Sequence, residues 1–289
     1  MVGSEFTLPV SRQLSLSGLL WECGDADADK APPVLALHGW LDNAASFSHL
    51  APRLGRTVYA LDLPGHGRSP FKTMPGPYTD WDQIPLIDAV LDALAVDTAV
   101  LMGHSLGGVQ AFQYAVAAPE RTDRLVLLDA LAPRPMRPQG PVEALRSGLR
   151  QWRRLRGRDM YRSPSRERLV RLRESSLSPD AAETLAARDL VQSDDARWRW
   201  SADRILYGAP LARYTLDQVY ELLGALAVPT LLLVASSGRW REWVIDCAAR
   251  LNSAEIQELE AGHHLHLEPE SRDVAAERVS AFLREEHHD

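Results

Sequence analysis

The chain has 289 residues, 45% of them hydrophobic and 25% charged, and a formal net charge of -7. Such a composition describes a globular protein long enough for one large core plus an insertion, and it excludes disordered and collagen-like classes. The acidic balance argues against a nucleic-acid partner, which needs a basic face for phosphate contacts.

No run approaches the ~18 apolar residues of a membrane span, and Met1 to Val10 carries neither a basic leader nor an apolar stretch. A cytoplasmic enzyme without a membrane span is therefore expected. Cys23 and Cys247 lie far apart and form no C-x-x-C pair, so neither a disulfide framework nor a zinc knuckle is indicated.

In chain order, Phe6 to Trp21 alternates loosely and reads as an edge hairpin. Short strand signals then alternate with helical ones: Pro33 to Leu37 and a helix after Asn43, Thr57 to Leu61 and a helix over Ile84 to Leu94, Ala99 to Met102 and a helix after Ser105, then Arg124 to Leu128. That rhythm is the signature of βαβ units around a parallel sheet buried on both faces. It breaks at Pro133, Pro135, Pro138 and Pro141, a stiff exit from the sheet.

Beyond the prolines, Val142, Leu145, Leu149 and Trp152 recur at helical spacing among arginines, and Ser178-Pro179-Asp180 supplies an N-cap, an N1 proline and an early acid. Residues 132–215 read as an inserted helical lid, and 1–131 with 216–289 as the core it interrupts. The core resumes with a strand over Pro229 to Val234, a helix from about Glu242 to Leu251, a strand over Glu255 to Leu259, and a terminal helix with Ala275, Val279 and Phe282 inward.

Gly103-His104-Ser105-Leu106-Gly107 stands where the buried run Ala99 to Met102 gives way to a helix. A serine on such a turn is held in a strained conformation that exposes its hydroxyl, and glycines on either side remove colliding Cβ atoms. The hydroxyl needs a base, and His263, just beyond the last strand, is the candidate. His264 and His266 beside it invite an H-x-H metal reading, but no matching Cys, Asp or third His cluster lies nearby in sequence. The backbone amides of Leu106 and Trp40 are the candidate oxyanion donors, with His38 as a structural support of its loop.

His38-Gly39-Trp40-Leu41-Asp42-Asn43, Asp62-Leu63-Pro64-Gly65-His66-Gly67-Arg68-Ser69, the elbow at Ser105, and Gly262-His263 followed by Leu267-Glu268-Pro269 occur in an order that resembles the α/β-hydrolase superfamily. The opening motif, with Arg197-Trp198-Arg199-Trp200 before Asp203, most resembles its serine-hydrolase-like branch. The resemblance implies an α/β fold with an eight-stranded, mostly parallel sheet, helices on both faces, a lid after the sixth strand, and no cofactor or metal.

One departure concerns the acid. Most relatives place it about four residues past the equivalent of Val234, where this chain reads Ala235-Ser236-Ser237-Gly238. Some branches place it at the end of the sixth strand, and Asp129 stands there. Glu242 and Asp246 are the reserves.

The catalytic set expected is thus Ser105, His263 and Asp129, acting on a small to medium ester or thioester. A C–C bond hydrolase of the same fold, or a ligand-binding module with a weakened triad, are the alternatives. Trp152, Trp198, Trp200, Trp240 and Trp243 are candidates for a substrate pocket or for lid core. Because Arg supplies 30 of 32 basic residues, the dense stretch from Arg134 to Arg173 reads as solvated helix faces rather than an anion site.

Overall fold

A computed structural model describes residues 3–24, 31–136, 140–158 and 160–285. The hairpin β1 (Ser4–Pro9) and β2 (Ser15–Trp21) opens an eight-stranded sheet. Its further strands are β3 (Val34–Leu37), β4 (Val58–Leu61), β5 (Ala99–His104), β6 (Thr122–Leu128), β9 (Thr230–Ala235) and β10 (Glu255–Leu259). The spatial order is β1-β2-β4-β3-β5-β6-β9-β10, antiparallel only at the first two junctions.

Strands β3, β5 and β9 are buried at every position, because helices cover both faces. Alternate side chains divide between two cores. Leu35, Leu37, Leu101, Leu125 and Leu127 pack with α1 (Gln83–Ala93) and α2 (Leu106–Ala117). Ala36, Met102, Val126 and Leu128 pack with α8 (Arg272–Arg284), where Ala275, Val279 and Phe282 face inward as their spacing predicts.

The helix expected after Asn43 is instead two 3-10 turns, Ala44–Phe47 and Ala51–Arg53. Asn43 Oδ1 accepts from the Ala45 N–H and Asp62 accepts from that of Ala44, so local side chains satisfy the backbone that a longer helix would use. Pro52 then lacks the donor needed to join the turns.

After β6 the chain leaves the sheet and returns at Thr230. Pro138, part of the proline-rich exit, lies outside the described residues. The excursion contains α3 (Gly140–Leu155), α4 (Arg166–Arg173), α5 (Pro179–Asp189) capped by Ser178, and a hairpin of β7 (Leu190–Gln192) and β8 (Trp198–Trp200) that the sequence reading did not anticipate. Strands of three residues are too short to display alternation. α6 (Leu216–Gly224) buries Val219 and Leu223 against the main core, and α7 (Arg241–Ala248) follows β9.

Leu169, Val170, Leu177, Leu185 and Leu190 give the excursion its own core, joined by Leu267 from the loop after β10. Polar contacts fasten it to the Asp62–Ser69 turn, to β1 and to the loop after β3. Arg188, 5% exposed, donates to Asp62 through Nε and stands in ion-pair contact with it through Nη2 at 2.8 Å, and its Nη1 donates to Glu5 at 2.7 Å. Asn43 Nδ2 donates to Leu185 O, and Trp40 Nε1 to Leu206 O.

Candidate active site

Three segments converge at the carboxyl edge of the sheet. Ser105 sits between β5 and α2 with φ 49° and ψ -113°, a conformation that L-residues rarely adopt. The surrounding backbone leaves no room for substitution at the flanking glycines. A Cβ on Gly103 would meet Gly107 O at 2.4 Å, and one on Gly107 would meet Leu37 O at 2.1 Å. The loop after β3 therefore runs against the start of α2, with the Gly107 N–H donating to His38 O.

His263 Nε2 lies 2.9 Å from Ser105 Oγ and its Nδ1 2.6 Å from Asp129 Oδ2. Asp129 is 1% exposed, and its other oxygen accepts from the Ala235 N–H at 3.0 Å. With a carboxylate at Nδ1, that nitrogen carries the proton, which leaves the Nε2 lone pair toward the serine hydroxyl. Asp129 itself has φ 47°, a turn that aims its side chain across the end of β9.

The stretch Ala235 to Gly238, without a carboxylate, now has a physical explanation. Leu128 of β6 pairs with Leu233 of β9, so the residue after Leu128 emerges beside the turn after β9. A Cβ on Gly238 would stand 2.5 Å from Asp129 Oδ2. The carboxyl group thus occupies, from the neighbouring strand, the space that a side chain at position 238 would fill. Glu242 and Asp246, the reserves, lie on α7. Asp246 there pairs with Arg250 at 2.8 Å.

Leu106 is the first residue of α2, so its N–H has no acceptor within the helix. Trp40 follows β3 and is 48% exposed, with its ring edge-on to Tyr207. His38 is fully buried, accepts from the Leu63 N–H and lies 2.7 Å from Gly39 O, as a loop support does. The tryptophans do not form one cluster. Trp198 and Trp200 pack on the core of the excursion, Trp240 lies beneath Arg134, and Trp243 donates to Ala132 O.

His264, weighed in the sequence with His266 and set aside, is joined by Asp42 and His104, which the sequence did not single out, in a second polar group behind His263. His264 Nε2 is 3.1 Å from Asp42 Oδ2, and His104 Nε2 is 3.0 Å from His263 O. Burial opposes the charge of Asp42, but His264, by its charge and its hydrogen bond, holds this carboxyl well below the usual range. Burial also opposes charge on His264, yet Asp42 overcomes it and raises the imidazole pKa. His104 is pushed down to about 4, chiefly by burial. Arg173, at the end of the stretch read as solvated, turns inward to Asp189 at 2.7 Å and Leu41 O at 2.6 Å. A polar cleft of about 420 Å³ opens over this edge, lined by Glu174, Ser178, His263, His264, Glu268 and Glu270 among others.

Residues 32–270 match the α/β-hydrolase fold family, and the chain belongs to it. Its relatives include a serine hydrolase-like protein of Danio rerio, 26% identical over 97% of this chain and 88% of that one. Against Drosophila and human proteins named probable serine hydrolase and serine hydrolase-like, the identity rises to 40% and 42%, but the chain spans only 31% and 50% of their length. Among solved structures, a hypothetical protein of Pseudomonas aeruginosa PAO1 superposes with a TM-score of 0.88 at 31% identity, covering 99% of this chain and 100% of that one. The thioesterase domain from the curacin biosynthetic pathway does so with a TM-score of 0.80 at 26% identity, over 98% and 100%. The fold is that of a hydrolase, and among the described residues no helix is long and apolar enough to cross a membrane.

Proposed function

We propose that the protein is a serine carboxylesterase that cleaves a small to medium ester or thioester through an acyl-enzyme. The observation that carries this reading is the hydrogen-bonded line from Asp129 through His263 to Ser105, with the serine in its strained turn. Ser105 Oγ attacks the substrate carbonyl while His263 Nε2 takes its proton. Asp129 holds the ring and stabilises the imidazolium.

The oxygen that gains charge is bound by the amides of Leu106 and Trp40, each worth ~3 kcal/mol to the transition state. His263 then protonates the departing alcohol or thiol. Water, deprotonated by the same imidazole, attacks the acyl carbon, the acyl–Oγ bond breaks, and the acid leaves.

Residues 132–215 serve in this reading as a lid, fastened to the core by the Arg188–Asp62 pair and by Ser178 N–H donating to Glu268, near His263. The thioester option draws support from the thioesterase neighbour. Reaction with a fluorophosphonate probe tests the assignment: wild type labels and Ser105→Ala does not, whereas equal labelling of the two overturns it. A panel of esters and thioesters of increasing acyl length then distinguishes the substrate classes.

A further inference from the structure

We propose that Asp42, His104 and His264 form a binding site for a divalent transition-metal ion of the zinc or copper type, immediately behind the His263 loop. The three ligand atoms, Asp42 Oδ2, His104 Nδ1 and His264 Nε2, lie within 4.8 Å of one another. His264 Nε2 is 3.1 Å and His104 Nδ1 3.5 Å from the carboxylate oxygen between them. Ligand atoms held at ~2.1 Å by one ion stand roughly 3.0 to 3.4 Å apart for right-angled to tetrahedral bonds, so the two distances to the carboxylate already match, and the two imidazole nitrogens, within 4.8 Å of each other, close toward that range by rotation of the partly exposed His264 ring.

The tautomer of His104 supplies an independent reason. Its Nε2 faces the carbonyl oxygen of His263, which only accepts, so Nε2 carries the proton and Nδ1 is a bare lone pair. That nitrogen is fully buried, has no hydrogen-bond partner, and points at a carboxylate oxygen. Two acceptors facing one another at 3.5 Å in a dry site repel, and a metal ion between them relieves that repulsion without the cost of protonating a buried imidazole. A neutral imidazole, a carboxylate and a second imidazole make a donor set suited to zinc or copper rather than to calcium or magnesium.

Access is provided by the cleft over the sheet edge. His264 lines it, its side chain 16% exposed, and Glu174, Glu268 and Glu270 give the mouth a negative field that concentrates cations. Arg173 Nη1 lies 3.5 Å from the other Asp42 oxygen and the rings of His263 and His266 pack on His104, so the ion shares the site with one guanidinium and further imidazoles. On binding, His264 ligates as the neutral ring with its proton on Nδ1: a neutral ring changes tautomer and an imidazolium releases its Nε2 proton to solvent, and water completes the coordination.

A dication there lies against the element that carries His263 and disfavours the imidazolium which that residue becomes in the proposed reaction. Reversible inhibition by zinc, relieved by a chelator, is the functional consequence. Binding itself does not depend on that reaction, and the test reads it directly.

Protein freed of metal with a chelator is titrated with Zn²⁺ by calorimetry and with Co²⁺ by visible absorption and paramagnetic NMR. The expected result is one saturable site per chain, a ligand-field spectrum, two shifted imidazole N–H signals, and a rise in Tm that saturates with zinc. His264→Gln and Asp42→Asn, each checked for folding by circular dichroism, weaken binding by more than about tenfold, or ~1.4 kcal/mol. Ser105→Ala and His263→Ala bind as wild type does. Binding that survives in both His264→Gln and Asp42→Asn, binding lost in His263→Ala, or the absence of a saturable site overturns the proposal. If either variant fails to fold, the wild-type cobalt spectrum decides: fewer than two ligated imidazoles overturns it.

Discussion

His263 and His264 are neighbours in the chain, and each meets a buried aspartate, but the two pairs are built for different work. His263 bonds Asp129 at 2.6 Å through Nδ1 and keeps Nε2 for Ser105. His264 bonds Asp42 at 3.1 Å through Nε2, and the same carboxylate oxygen also faces His104. One pair ends on a hydroxyl. The other ends on backbone, because His104 meets the carbonyl of His263. An aspartate beside a histidine therefore does not define a role; the atom at the far end of the imidazole does.

The sharpest test of that contrast is Asp129→Asn. The amide no longer enforces the tautomer with its proton on Nδ1, and kcat on an activated ester falls on the order of 10⁴-fold, with circular dichroism unchanged. A loss of less than about tenfold would mean that Asp129 does not orient His263. Gly238→Ala attacks the same pair from the other strand. Its Cβ would stand 2.5 Å from Asp129 Oδ2, so the carboxylate must shift, and kcat drops roughly 10²-fold with Asp129 still present. An unchanged rate would show that the turn after β9 yields instead.

Asp42→Asn probes the second pair. It leaves His263 its acid and serine but loosens the loop behind it, and a fall in kcat of about tenfold is expected, far short of the effect at Asp129. Equal losses at the two positions would erase the distinction between them.

The last effect is on stability, not on rate. His66 is buried without a hydrogen-bonded carboxylate, and burial pushes its pKa down to about 3. The unfolded chain takes up a proton below about pH 6.5 that the folded ring refuses, so this residue's contribution is present above that pH and is lost as pH falls toward 3. Denaturant titrations between about pH 6.5 and 5 should show a steeper fall for wild type than for His66→Gln, by up to about 1.4 kcal/mol per pH unit. Parallel slopes would show that His66 accepts its proton in the folded state.

Much of the architecture was legible because it is local. Alternation and apolar runs located all eight strands of the main sheet, and Ser178-Pro179-Asp180 announced α5. Ser105 and His263 stood out by the residues around them. The helix after Asn43 was misread, since the hydrogen bond from Ala44 that competes with it goes to Asp62, 18 positions away. Arg173 was read with the solvated arginines, and nothing around Arg188 in the chain marked it out. Asp189 meets Arg173 when α4 and α5 pack together, and Asp42 and Asp62 come within reach of Arg173 and Arg188 only when the excursion folds over the sheet.

By itself, the sequence determined the elements and the strained turn at Ser105, because glycines, prolines and hydrophobic period act over a few residues. The resemblance pointed to Asp129 as the partner of His263, but only the tertiary structure brought Asp42 to His264 and explained why the acid comes from the strand beside Gly238. Asp129 and Gly238 are remote in the chain but emerge side by side from paired strands, and Asp42, His104 and His264 come from three separate segments. The meeting of Asp42, His104 and His264 is a property of the sheet edge where the strands end together, and no spacing along the chain encodes it.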